Sequence, residues 1–189
     1  AVIFDFDNDG WQDIYIGNSG YPGNRGLLYH QTAALKFEEL ATTDFFEHNR
    51  SHGVVTADVD GDGDLDMIVG HSTSRCKDTL PHNCYETRQV RLLNQMGAKS
   101  NWIQLVLTGG KGSNRSAIGA RVQVEAGGVT QTQEIDGGHG HYNTQKDRVL
   151  HFGLGTACKA KVTINWPDAT WSEQTLEVAA NGRYEVKQK

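Results

Sequence analysis

Short runs of β-branched and aromatic residues alternate along this chain with clusters of Gly, Asn and Asp, the pattern of brief strands joined by tight turns. In the first half such runs fall at 2–4, 14–16, 27–30, 36–40, 54–57, 67–69 and 90–94. In the second half they fall at 102–107, 119–126, 129–135, 148–152, 160–166, 170–178 and 183–187. Turn signals separate the later runs: Gly109-Gly110, Gly127-Gly128, Gly137-Gly138, Pro167-Asp168 and Asn181-Gly182. Helix is weakly supported anywhere, and Asp44–His48 is the best candidate for a single turn. The expected fold is all-β.

The first half contains a repeat. Val2-Ile3-Phe4-Asp5-Phe6-Asp7-Asn8-Asp9-Gly10-Trp11-Gln12-Asp13-Ile14-Tyr15-Ile16-Gly17 returns 53 residues later as Val55 to Gly70. Leu28-Tyr29-His30-Gln31 returns as Leu92-Leu93-Asn94-Gln95, 64 residues later, so the second copy carries 11 extra residues. That insertion holds Cys76 and Cys84. A bridge between them would tie down a long excursion, whereas two free thiols would suit a reducing compartment. Several short strands per fifty residues match propeller blades, while the seven runs after Trp102 suggest a compact sandwich or barrel. The boundary is expected near Gly97–Asn101, giving segments 1–98 and 99–189 with no long flexible linker between them.

Composition narrows the function. With 18 basic and 23 acidic residues among 189, the net charge is -5, the wrong sign for affinity based on phosphate neutralisation. Nucleic acid is not an expected partner. Nothing approaches 18 consecutive apolar residues, so no membrane insertion is expected. Ala1 leads straight into a strand-like run rather than a signal peptide, and the expectation is a cut or processed chain.

The clearest chemistry is the spacing D-x-D-x-D-G-x-x-D, present as Asp5, Asp7, Asp9, Asp13 and again as Asp58, Asp60, Asp62, Asp66. Four carboxylates converging in one loop repel one another unless a cation joins them. Oxygen-only ligands with a glycine at the sixth position select a hard ion of high coordination number, calcium rather than magnesium. Zinc lacks its preferred nitrogen or sulfur ligands here. An EF-hand would need glutamate at position 12, where Ile16 and Val69 stand, and a helix where strand-like residues follow. The expectation is therefore two Ca2+ sites in β-hairpin loops. Trp11 and Asp64, at the seventh position, would each contribute a backbone carbonyl. The loops hold nine aspartates with Asp64, and two divalent ions would bring the net charge from -5 to -1. A structural ion is expected, because no His or Glu stands beside either loop in sequence to act as an acid or base.

At these residues the chain resembles FG-GAP or VCBS repeats, the blades of integrin-α-type β-propellers. The second half resembles the ASPIC/UnbV domain. Its matching stretches are Gly112-Ser113-Asn114-Arg115-Ser116-Ala117-Ile118-Gly119-Ala120-Arg121-Val122, Gly137-Gly138-His139-Gly140, Leu150-His151-Phe152-Gly153-Leu154-Gly155 and Val162-Thr163-Ile164-Asn165-Trp166-Pro167. Repeats followed by this domain is the family's usual order. Gly140-His141-Tyr142-Asn143-Thr144 departs from the Gly-Tyr-Leu-Ser-like segment expected there, and two blades cannot close a propeller.

The remaining features are weaker. His139, His141 and His151 lack a carboxylate or cysteine placed to complete a transition-metal site. Arg115 and Arg121 suit structural contacts better than an anion clamp. Trp11, Tyr15, Tyr21, Trp102, Trp166 and Trp171 are mostly core candidates. Asn49 and Asn114 open glycosylation sequons, and no nucleophile or phosphate-loop motif is present. Together these readings imply a calcium-stabilised extracellular or cell-surface protein of adhesion or structural assembly, possessing no catalytic residues. Its partners would be proteins or further copies of itself. The alternative is a calcium-dependent carbohydrate-binding module.

Overall fold

A computed structural model describes residues 1–17, 26–40, 51–71, 90–93, 100–138 and 145–189. The expected Cys76–Cys84 loop, the turn at 44–48, Tyr21, His139, His141 and most of the 97–101 boundary lie outside them. All regular structure among the described residues is β.

Val2–Phe4 (β1), Asp13–Ile16 (β2), Leu27–Ala33 (β3) and Lys36–Leu40 (β4) form an antiparallel sheet in sequential order. Ser51–Ala57 (β5), Asp66–His71 (β6) and Val90–Leu93 (β7) form a second sheet in the same manner. The repeat is visible in the register. Phe4 pairs with Asp13 at the mouth of the first aspartate loop, and Ala57 pairs with Asp66 at the mouth of the second. Each loop is thus a hairpin connection whose last aspartate is already the first residue of the next strand. Val2, Phe4, Tyr15 and Leu28 pack with Met67 and Val69 in one buried cluster, so the two sheets share a core.

The second half is a two-sheet sandwich. Asn101–Thr108 (β8), Arg121–Ala126 (β9), Val129–Glu134 (β10), Leu150–Gly155 (β11), Lys159–Asn165 (β12), Glu173–Ala179 (β13) and Gly182–Lys187 (β14) match the seven expected runs. One sheet has the order β10-β9-β12-β13, the other β11-β8-β14, with β14 parallel to β8. Alternation sets the core: Val122, Val124, Val162 and Ile164 point inward to meet Ile103, Leu105 and Phe152. Burying each such side chain stabilises the fold by about 1.5–3 kcal/mol. Gly127 and Gly128 both have positive φ, 56° and 84°, as a two-residue hairpin with the strands' own twist requires. Tyr15 and Trp166 are core residues as expected, whereas Trp171 is 62% exposed on a turn, at φ 52°.

Strand β11 is buried on both faces. Leu150, Phe152 and Leu154 enter the sandwich core, while His151 and Gly153 face the other way and are buried too. What covers them is the pair of aspartate loops. The partners across the sheet, Gln104 for His151 and Trp102 for Gly153, belong to the same outer face. Gly155 N–H donates to the Asn8 carbonyl at 2.8 Å. A Cβ on Gly153 would overlap the Asp5 carboxylate and come within 2.5 Å of Asn8 Cα, and one on Gly63 would overlap the Trp102 indole. Glycine at these two places lets loop backbone lie directly on the sandwich. Gly153→Ala is therefore expected to destabilise the chain by about 1–3 kcal/mol, the range for overpacking, measured by urea unfolding. An unchanged midpoint would mean that the loops do not rest on β11.

Candidate metal centre

Both aspartate loops are wound by one hydrogen-bond scheme. In the first, Asp5 Oδ2 accepts from Gly10 N–H at 2.9 Å, Asp7 Oδ1 from Asp9 N–H at 3.3 Å, and Asp9 Oδ1 from Trp11 N–H at 2.8 Å. In the second, Asp58 Oδ2 accepts from Gly63 at 3.2 Å, Asp60 Oδ1 from Asp62 at 3.3 Å, and Asp62 Oδ1 from Asp64 at 3.1 Å. The strand-end aspartates close each loop: Asp13 Oδ2 accepts from Phe6 at 3.0 Å, and Asp66 Oδ2 from Val59 at 2.8 Å. Gly10 and Gly63 take φ of 94° and 92°, the sixth-position turn that side chains resist.

The winding brings carboxylates together. Asp5, Asp7 and Asp13 each offer an oxygen within 4.8 Å of the others, as do Asp58, Asp60 and Asp62. Asp9 joins Asp7 in a further group described below. The electrostatic cost is large. Burial, reinforced by Asp9, Asp13 and Asp7, pushes the Asp5 carboxyl up to about 8 against the pull of the Gly10 N–H. Burial likewise raises Asp13 to about 6, and raises Asp7 and Asp66. Asp66 Oδ1 is fully buried without a hydrogen-bond partner. An oxygen-rich set that resists its own ionisation, with a buried lone pair unused, fits a hard divalent cation. Asp5, Asp7, Asp9, Asp13 and the Trp11 carbonyl could hold one, and Asp58, Asp60, Asp62, Asp66 and the Asp64 carbonyl another.

Several residues that matter here have no signature in the linear sequence. Asn8, at the fourth loop position and φ 58°, donates from Nδ2 to the Gly63 carbonyl at 2.9 Å, joining the two loops. Its Oδ1 is thereby the acceptor for His151 Nε2 at 2.6 Å, so His151 carries its proton on that nitrogen. Burial lowers His151 to about 4, keeping it neutral. Gln104 Nε2 donates to Asp58 Oδ2 at 2.6 Å, and the Trp102 ring stacks on His151 at 6.1 Å. The expectation that no histidine stands beside the loops is corrected in space. His151 abuts Asn8, and His30 on β3 lies 3.3 Å from Asp7 Oδ2. Strand pairing brings both from far away in sequence. Between the loops and the sandwich lies a cleft of about 380 Å³, lined in part by Ile3, Asp5, Asp58, Gln104, His151 and Arg183.

The raised carboxyls give a signed pH dependence. Ionising Asp5 costs more in the fold than in the unfolded chain, so its contribution is full below pH 3.8 and is lost as pH rises toward 8. In excess chelator, stability should fall across that window, and Asp5→Asn should flatten the fall in thermal melts. An equal slope in the variant would remove Asp5 as its source.

Comparison with known proteins agrees with this architecture. Residues 5–69 match the family model for an FG-GAP-like repeat, and residues 110–189 match that for ASPIC and UnbV. Cartilage acidic protein 1 of Homo sapiens is 29% identical over 174 residues, covering 89% of this chain and 24% of that protein. The Xenopus tropicalis protein of the same name is 30% identical over 176 residues, covering 89% and 25%. The chain thus spans about a quarter of the length of these relatives. With the paired hairpin loops and the seven-stranded sandwich in place, the chain is similar, over these two successive segments, to FG-GAP-like repeats followed by an ASPIC/UnbV domain.

Proposed function

We propose that this chain is part of an extracellular, calcium-stabilised β-scaffold serving adhesion or the assembly of a surface filament or matrix, and that it is not an enzyme. The observation that carries the reading is the burial of Asp5, Asp13 and Asp66 in loops that also form the joint with the sandwich. Calcium would neutralise those loops and thereby stiffen the joint, turning two repeats and a sandwich into one rigid contact surface. The sandwich and repeats would divide near 98–99. The relatives' name refers to cartilage, and a matrix setting would supply millimolar calcium suited to weak extracellular sites.

The partner is proposed to be a protein or a further copy of the chain. Among the described residues β4 is an edge strand and is largely exposed, so that it would offer a row of backbone groups for strand addition. Lys36, Glu38 and Glu39 on that strand restrict it to a partner of complementary charge. A calcium-dependent glycan-binding role is the second reading, favoured by the cleft between loops and sandwich, where Gln104 and Arg183 present polar groups beside apolar Ile3. Sedimentation velocity with millimolar calcium and with chelator tests the first. Assemblies that dissociate in chelator are expected. A monomer under both conditions would contradict self-assembly, and glycan-array binding lost on chelation would favour the second reading.

A further inference from the structure

The first aspartate loop has a nitrogen donor beside it, His30. His30 Nε2 approaches Asp7 Oδ2 at 3.3 Å and Asp9 Oδ2 at 3.4 Å, and the three ligand atoms lie within 4.8 Å of one another. The ring is held there from two sides. Gln31 N–H donates to Asp13 Oδ1 at 2.8 Å, fastening β3 to the loop one residue away, and the Phe6 ring meets the imidazole edge to face at 5.3 Å. At the matching place the second copy has Asn94.

Two observations separate this trio from an acidic loop with a neighbouring cation. His30 Nε2 is shielded from solvent, although its side chain is 22% exposed, and among the described residues it has no hydrogen-bond partner. A charge-assisted hydrogen bond would draw nitrogen and carboxylate to about 2.7–2.9 Å, shorter than either spacing found. Ligand atoms around a tetrahedral ion with bonds of about 2.0–2.2 Å sit about 3.3–3.6 Å apart, and both His30 spacings fall there. Imidazole with two carboxylates is a donor set for a borderline ion rather than calcium.

We propose that Asp7, Asp9 and His30 form a second cation position on the outer side of the first loop, which takes a transition ion of the Zn2+ class. Water would complete the coordination at the fourth place. The position shares Asp7 with the inner group of Asp5, Asp7 and Asp13 and draws on Asp9, which the calcium reading also uses, and the position matching His30 in the second copy is Asn94. The expectation that these loops offer zinc no nitrogen ligand is thereby revised for the first loop. The proposal does not rest on calcium filling the inner group.

The test is zinc titration of the whole chain against a chromophoric chelator, without calcium and with saturating calcium, for wild type, His30→Asn and the pair His139→Ala/His141→Ala. One zinc equivalent is expected to weaken by more than about tenfold in His30→Asn, the low end of what losing even an outer-shell partner costs, and to persist in the paired variant. Equal zinc affinity in wild type and His30→Asn would overturn the proposal, as would loss only in the paired variant. Should His30→Asn not fold, long-range nitrogen NMR of the wild type decides. Zinc must shift His30 Nε2, and an unmoved resonance contradicts the site. Zinc binding at His30 in a chain that takes up no calcium would refute the calcium reading alone, and calcium binding without zinc would refute this one alone.

Discussion

Buried like charge is the constraint around which this structure is organised. Asp5, Asp13 and Asp66 are almost wholly removed from solvent, and Asp5 and Asp13 share one loop with two further carboxylates. Such burial is tolerated only when an opposite charge or a complete set of donors compensates it. The backbone supplies part of the compensation through N–H groups from Gly10 and Phe6 of the loop and from Gln31 of β3. Burial still holds the Asp5 carboxyl well above its usual range, a cost that a bound divalent ion would relieve.

The same burial explains how the halves meet. Among the described residues, the buried polar side chains of Asn8, Gln104, Gln131 and His151 gather where the loops lie on the sandwich. Gln131 belongs to that joint as well, donating to the Gly153 carbonyl at 2.6 Å. Asn8 is its centre: one side chain bonds the second loop and the sandwich while its carbonyl receives Gly155 N–H. A joint made of hydrogen bonds and close backbone contact demands accurate placement. Any repulsion that spreads a loop also withdraws the groups that the sandwich needs. Loop charge and inter-domain stiffness are in this way one property.

Much of the fold was legible because period-two alternation and turn residues are local signals. All fourteen strand-like runs found their strands, and the two D-x-D-x-D-G-x-x-D stretches became hairpin loops with equal register. The joint was not legible. Leu150-His151-Phe152-Gly153-Leu154 alternates like a strand with one wet face, and nothing local says that the His151 and Gly153 side is covered. The only available hint was the pair itself, a small residue and a neutral ring where a solvated face would carry charge. His30 was hidden for a related reason. Its distance from Asp7 is set by β2–β3 pairing across a segment whose length the repeat does not fix. Trp171 shows the opposite failure, an aromatic residue assigned to the core by its type and held outside by a turn that Asp168 caps through Thr170 and Ser172.

Cations in the aspartate loops are proposed to hold repeats and sandwich together. Differential scanning calorimetry tests this role most directly, on the same chain in millimolar calcium and in excess chelator. A single cooperative transition is expected with calcium, separating into two in chelator with the repeats melting first. A single transition at the same temperature in both conditions would contradict it.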